Sequence, residues 1–139
     1  MKEFDYCLKP EELPPTVGFD LKYFNERNIR LDVRGPLVIH PDSTWGAYIT
    51  VITKSHNPTN GERYLVDRPV IVDKDAWICS GALLYNCHIG EGAIVSVGTV
   101  VRSQTVMPFV MVAGNPARVI ARFIGGAWQY IEPKYEVLE

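Results

Sequence analysis

Large apolar residues recur at every sixth position through most of this 139-residue chain. An amphipathic helix would repeat apolar residues every three or four positions, and a half-buried strand every two. A period of six fits short strands separated by regular corners, and stacked turns of such a chain form a parallel β-solenoid. Three runs in phase make up the repeat: Ile39, Trp45 and Val51; Val72, Ile78 and Leu84; and Ile89, Val95, Val101 and Met107.

The repeat is irregular at two places. Between Leu84 and Ile89 the step is five residues, which we interpret as a local adjustment of one corner. Between Val51 and Val72 the chain contains a long insertion, and we predict a loop over residues 57–69 that projects from the solenoid. Loops on rigid scaffolds often carry function, so this insertion is the first place to look for a site.

Both ends of the chain lack the repeat. Residues 20–27 predict a short N-terminal helix with Asp20 as its cap. Residues 115–123 predict a C-terminal helix, with Asn115 as cap and Pro116 at the first helical position. An open solenoid needs its ends covered, so we expect a single domain with helical caps. Its segments are an N-terminal region 1–32, a β-helix 33–112, and a C-terminal helix and tail 113–139.

The composition excludes several classes of protein. The net charge is −2 and the charges are interspersed, so no nucleic-acid surface is expected. Cys7, Cys79 and Cys87 are odd in number and lack a C-x-x-C motif, which argues against a disulfide framework and favours a cytoplasmic location. No apolar run approaches the roughly 20 residues of a membrane span, and the N-terminus lacks the apolar core of a signal peptide.

Residues 51–123 resemble the hexapeptide-repeat acyltransferases, and most closely their sugar and xenobiotic O-acetyltransferase branch. That branch includes galactoside, maltose and colanic-acid acetyltransferases. The resemblance implies an all-β, left-handed parallel β-helix and acetyl-CoA as co-substrate, with no metal required. It also implies a homotrimer with active sites between neighbouring chains, and a saccharide or related small acceptor. The motifs that carry it are SHNP, RPVIVDKDAWICSGA, IGEGAIVSVGTVV and VAGNPARVIARF.

In this interpretation His56 is the catalytic residue. Moving an acetyl group from a thioester to a hydroxyl needs a base, and imidazole titrates near neutral pH. His56 lies where the regular repeat ends and the insertion begins, and it matches the catalytic histidine of the family. The alternative is a histidine that only caps a corner. We interpret His40, beside Pro41, and His88, beside Cys87, as structural or solvent-facing.

The resemblance also implies contacts with the donor and the acceptor. Trp77 packs beside coenzyme A in this interpretation, although a packing or subunit-interface role is the alternative. Ser80 offers a backbone N–H to the thioester, and a fixed donor there stabilises the developing oxyanion. The remaining residues expected to bind the cofactor are Val97 and Gly98 along pantetheine, and Arg102, Ser103 and Arg118 near the phosphates. The family often has lysine at the position of Ser103. Arg63 and Tyr64, in the insertion, are candidate acceptor contacts.

Two other functions and one variant of the first remain open at this point. VRGPLVI resembles γ-class carbonic anhydrases, which would imply a metal-dependent enzyme, although the three histidines lack the H-x4-H spacing of that family. A non-catalytic solenoid that binds or assembles is the second. Acetylation of an amine rather than a hydroxyl is the variant, since a base serves either nucleophile.

Overall fold

The described chain winds into a parallel β-helix with three faces. The computed structural model describes residues 15–65 and 68–131, so the predictions on Cys7, the first 14 residues and the tail beyond 131 lie outside it. One short helix, α1 (Leu21–Glu26), precedes the coils. Sheet A contains β2 (Leu37–Ile39), β7 (Val70–Val72), β10 (His88–Ile89) and β13 (Thr105–Val106). Sheet B contains β1 (Arg30–Leu31), β4 (Thr50–Ile52), β9 (Leu83–Tyr85) and β12 (Val100–Arg102).

Sheet C is the longest of the three faces. It contains β3 (Thr44–Trp45), β8 (Trp77–Ile78), β11 (Ile94–Val95), β14 (Val110–Ala113), β15 (Arg118–Ile124) and β16 (Ala127–Tyr130). A separate antiparallel hairpin is formed by β5 (Lys54–His56) and β6 (Arg63–Leu65). The chain visits sheets A, C and B in turn, and strands pair in parallel with the equivalent strand of the next coil. Among the described residues, no helix is long and apolar enough to cross a membrane.

The six-residue repeat is the inward-facing set of side chains. Each sheet contributes one column of apolar residues, all at most 3% exposed. Removing such side chains from water is the main force that holds a solenoid coil to its neighbours. The columns are Ile39, Val72, Ile89 and Val106 in sheet A; Trp45, Ile78, Val95 and Val112 in sheet C; and Leu31, Val51, Leu84 and Val101 in sheet B.

The prediction that Met107 continues the repeat is wrong. Met107 is 61% exposed, and Val106 occupies the core position at 3%. The five-residue step therefore occurs twice, at the last two corners between sheets B and A, from Leu84 to Ile89 and from Val101 to Val106. At these corners Asn86 and Ser103 adopt left-handed backbone conformations, with φ of 49° and 53°. Ile71 pairs with His88 and His88 with Thr105, so these coils are 17 residues long.

The N-terminal helix forms where the sequence predicts it. Asp20 Oδ1 accepts a hydrogen bond from the Tyr23 backbone N–H at 2.9 Å, which caps the first turn. Phe24, 1% exposed, packs its ring edge-on against Trp45 with centroids 5.6 Å apart. The helix thus buries an aromatic residue against the first coil and covers that end of the core.

The predicted C-terminal helix is wrong, because its residues form a β-hairpin. Strand β15 pairs antiparallel with β14, and β16 pairs with β15. The last coil leaves the edge of β14 open, and an open strand edge pairs readily with another strand. Val119 and Phe123 suit a strand, and Gly125 and Gly126, with φ of 60° and 83°, form the two-residue turn that such a hairpin requires.

Candidate functional site

The insertion is a β-hairpin that begins earlier than the predicted loop. Strand β5 starts at Lys54, two residues after β4 ends. Its turn is built from side chains that accept local backbone hydrogen bonds: Asn57 Oδ1 from Thr59 N at 2.8 Å, and Asn60 Oδ1 from Glu62 N at 2.9 Å. Gly61 takes the left-handed conformation, with φ of 74°. The sequence NPTNGE is therefore a turn sequence.

A buried carboxylate anchors the base of the hairpin. Asp32 is 0% exposed. Its Oδ2 accepts the backbone N–H groups of Thr53 at 3.1 Å and Lys54 at 3.2 Å. The Arg34 guanidinium donates from Nε to Oδ1 at 2.8 Å and from Nη2 to Oδ2 at 2.9 Å. Thr53 Oγ1 donates to the Asp32 carbonyl at 2.8 Å and accepts from the Gly35 N–H at 2.9 Å. The first residues of the hairpin are thus fixed to the solenoid.

This environment keeps Asp32 ionised. Burial acts to raise the pKa of the Asp32 carboxyl, since it disfavours the charged form. The hydrogen bonds from the Arg34 side chain and from the backbone N–H groups of Arg34 and Thr53 outweigh burial, and the pKa of Asp32 is lowered. A negative charge therefore persists at the root of the hairpin.

His56 is the last residue of β5, and it is exposed. It lies opposite Arg63 on β6, which places both side chains on the same face of the hairpin. Within the described ranges, the imidazole makes no hydrogen bond or ion pair. His40, in contrast, caps a corner: its Nδ1 accepts a hydrogen bond from the Asp42 backbone N–H at 3.0 Å.

Tyr64 lies opposite Ser55 on the hairpin, and both residues are near Tyr85 at the end of β9. Burial raises the pKa of the Tyr85 phenol, and the neighbouring Tyr64 adds to that shift. Sequence reasoning missed both Asp32 and Tyr85, because the hairpin residues next to them lie at least 21 positions away along the chain.

Ser80 lies at the corner between sheets C and B and uses its side chain and backbone differently. Its Oγ accepts the Ala47 backbone N–H of the preceding coil at 3.0 Å. Val97 is the equivalent residue of the following coil and has no hydroxyl that could accept in the same way. The backbone N–H of Ser80 has no acceptor among the residues that the structure describes. Gly98 donates its own N–H to the Ser80 carbonyl at 3.0 Å, so that N–H is already used.

The remaining predicted cofactor residues are spread over three places. Trp77, on β8, is 49% exposed on the outer side of sheet C. Arg102 ends β12 and is exposed, and Ser103 follows it at the corner, where its Oγ accepts from Asn86 Nδ2 at 3.0 Å. Arg118 begins β15 and is exposed.

One chain alone does not bring these groups together. The hairpin that carries His56 starts at the edge of sheet B where β4 and β9 end, whereas Ser80 lies at the opposite edge, where those strands begin. Strand β9, three residues or about 10 Å of extended chain, lies between these two edges. Reacting atoms must approach within about 3–3.5 Å. The His56 imidazole and the Ser80 N–H of one chain therefore lie toward opposite edges of sheet B.

Within the described part of the chain, no three His, Cys, Asp or Glu side chains cluster as metal ligands would. His88 Nε2 instead contacts Asp73 Oδ2 at 2.6 Å, and both side chains are about 40% exposed. Cys79 and Cys87 are free thiols. Burial raises the pKa of the Cys87 thiol to about 12.

Solved structures share this fold. A maltose O-acetyltransferase from Clostridium difficile 630 matches with a TM-score of 0.54 and 21% identity over 68% of this chain. A galactoside acetyltransferase in complex with coenzyme A gives 0.52 and 24% over 81%. A hexapeptide-repeat acetyltransferase from Vibrio cholerae, complexed with acetyl coenzyme A, gives 0.50 and 21% over 69%. The chain thus has the left-handed β-helix fold of hexapeptide-repeat acetyltransferases.

The match covers only part of each solved structure. The chain spans 59%, 64% and 61% of the lengths of those three structures, in the order given. No protein-family model matches the sequence. No curated protein matches it either.

Proposed function

We propose that the protein is an acetyl-CoA-dependent O-acetyltransferase that acts on a saccharide or a related small hydroxyl acceptor, with His56 as general base. The observation that carries the proposal is the exposed imidazole of His56, without a partner in the described ranges, on a hairpin anchored by Asp32, in a fold shared with acetyltransferases. Since acetyl-CoA is the donor, we place the reaction in the cytoplasm. The Ser80 N–H, which has no acceptor in the described part of the chain, supports the assignment of the thioester site.

The residues account for each step of the transfer. The His56 imidazole accepts the proton of the acceptor hydroxyl as its oxygen attacks the thioester carbonyl. The Ser80 N–H donates a hydrogen bond to the oxyanion that forms, which is worth about 10²–10³ in kcat at comparable sites. The C–S bond then breaks, and the imidazolium returns the proton to the leaving thiolate. The products are the acetyl ester and free coenzyme A.

We propose further that the site lies between two chains of a homotrimer. Because His56 and Ser80 lie at opposite edges of one chain, each of them needs the other group from a neighbouring chain. Exposed apolar side chains support a side-by-side contact: Val97 is 75% exposed at the sheet C–sheet B corner, and Val38 is 38% exposed on the outer side of sheet A. In such an assembly the hairpin of one chain reaches the sheet C–sheet B corner of the next.

The polar ends of both substrates have candidate partners. Arg102 and Arg118 are exposed cations suited to the phosphates of coenzyme A. Ser103 offers no charge and already accepts from Asn86, so its contribution is to the corner. Arg63 and Tyr64 are the proposed acceptor contacts, and Arg63 lies on the same face of the hairpin as His56.

A screen of saccharide and amine acceptors for thiol release from acetyl-CoA tests the proposal. We expect acceptor-dependent release by the wild type, and at least a hundredfold lower kcat for His56→Asn with unchanged coenzyme A affinity by calorimetry. Release by His56→Asn at the wild-type rate would overturn the role of the histidine. Failure of the wild type to bind coenzyme A would overturn the proposed activity and favour a binding protein.

A further inference from the structure

An aromatic pocket opens on the outer side of sheet C, at the corner with sheet A. Its volume is about 290 Å³, at the lower end of the range for small-molecule sites. The pocket combines four aromatic side chains with one carboxylate. Its lining residues are Asp75, Trp77, Gly92, Ile94, Phe109, Phe123 and Trp128.

The backbone of three successive coils and the C-terminal hairpin build this pocket. The Phe109 ring lies over Gly92, where a Cβ atom would come within 2.6 Å of it. The Phe123 N–H donates to the Phe109 carbonyl at 2.9 Å, which ties β15 to the same corner. Trp128 faces Phe123 across the hairpin, with ring centroids 5.4 Å apart. The aromatic walls are therefore fixed by hydrogen-bonded strands and not by a free loop.

The charge of the pocket has one sign. Asp75 is the one ionisable residue among the lining residues. Its carboxylate is exposed and has no hydrogen bond or ion pair within the ranges the structure covers. Trp77, Phe109 and Phe123 are each 42–49% exposed, so their rings are available to a ligand. Aromatic faces and a carboxylate both attract a positive charge, while the ring surfaces favour an apolar body.

We propose that the aromatic pocket binds a small organic cation of the quaternary-ammonium class. The trimethylammonium head would contact the rings, with Asp75 as its counter-charge. This binding does not depend on acetyl transfer.

Choline and its uncharged isostere 3,3-dimethyl-1-butanol are the matched probes, because they differ in the charge of the head. The protein supplies an internal control in its three tryptophans. Trp77 and Trp128 line the pocket, whereas Trp45 is 3% exposed and donates its indole N–H to Ser43 Oγ at 2.9 Å. Indole N–H resonances followed by NMR during titration of the full-length protein report all three.

We expect choline to shift the Trp77 and Trp128 signals and leave Trp45 in place, with an affinity about tenfold above that of the isostere. Asp75→Asn should lower the choline affinity severalfold. Glu26→Gln, which removes an exposed carboxylate of α1 outside the pocket, should leave it unchanged. Equal affinities for the two probes, or no shift of either pocket indole, would overturn the inference. Choline binding without thiol release with any acceptor would support the pocket and count against the proposed acetyl transfer.

Discussion

Replacement of Asp32 with Asn should cost about 3–4 kcal/mol of folding free energy. The carboxylate is fully buried and accepts five hydrogen bonds, from Arg34 N, Nε and Nη2 and from the N–H groups of Thr53 and Lys54. The amide keeps one acceptor oxygen, so two or three of these bonds are lost, and its NH2 group faces donors. Hydrogen bonds to charged groups are worth about 1.5–3 kcal/mol each. Part of this is recovered because Arg34 is 26% exposed and can be hydrated.

Urea denaturation measures this loss. With a denaturant slope of about 2 kcal/mol/M, the midpoint should fall by about 1.5–2 M. Asp42→Asn is the matched control, because the Asp42 side chain is 62% exposed and its replacement should change stability by less than about 0.5 kcal/mol. The folded-state pKa of Asp32 is lowered, so its contribution is complete above the unfolded pKa of about 3.9 and is lost as the pH falls through the folded pKa. The difference between wild type and Asp32→Asn should therefore shrink below about pH 4. If Asp32→Asn lowers the unfolding free energy by less than about 1 kcal/mol at pH 7, the buried carboxylate does not anchor the hairpin. A difference from wild type that persists unchanged at pH 2 would exclude the ionised form as its source.

Three further substitutions or treatments test the coils themselves. Thr99 is 0% exposed and its Oγ1 has no partner among the described residues, so Thr99→Val should stabilise by up to about 1 kcal/mol in thermal unfolding, and a clear loss would reveal a hidden partner. At Gly46 an added Cβ would lie 2.6 Å from Ser80 Oγ and 2.7 Å from Ser80 N. Gly46→Ala should therefore lower the free energy of unfolding by about 1–3 kcal/mol. Gly125→Ala is the control for backbone strain without crowding, because a Cβ there meets no atom within 4 Å. Cys87, with 0% exposure and a thiol pKa raised to about 12, should resist a disulfide reagent until the protein unfolds; rapid labelling of Cys87 in the native state, read by peptide mass, would contradict its burial.

The period of six was enough to predict the solenoid, since one inward side chain per strand is a property of the sequence alone. Nine of the ten apolar positions were placed correctly, and Met107 failed because the short corner recurs in the following coil. The first shortened step, at Leu84 to Ile89, resembled an isolated deletion, and only the second one, at Val101 to Val106, identifies it as a regular feature. A second count of the repeat with 17-residue coils would have found it.

The C-terminal hairpin was not predicted, because its stability comes from an edge elsewhere in the fold. Asn115 and Pro116 are good helix-start residues, but the open edge of β14 pairs with β15. Tertiary context overrode local propensity. The same limit applies to the candidate site. His56 stands out in the sequence because it interrupts a repeat, whereas Asp32, which holds its hairpin, is one acidic residue among many.

Complementation between two inactive variants tests whether each active site is built from His56 of one chain and Ser80 of its neighbour. His56→Asn removes the proposed base, and Ser80→Pro removes the N–H of the proposed oxyanion donor, while Ser80→Ala retains that N–H and should stay active. Both variants are first shown to be folded oligomers by circular dichroism and sedimentation, and then unfolded together and refolded at equal concentrations. If each site uses His56 of one chain and Ser80 of the next, about a quarter of the interfaces combine two intact groups and thiol release returns to about a quarter of wild type. Mixed oligomers that remain as inactive as either variant alone would contradict the account.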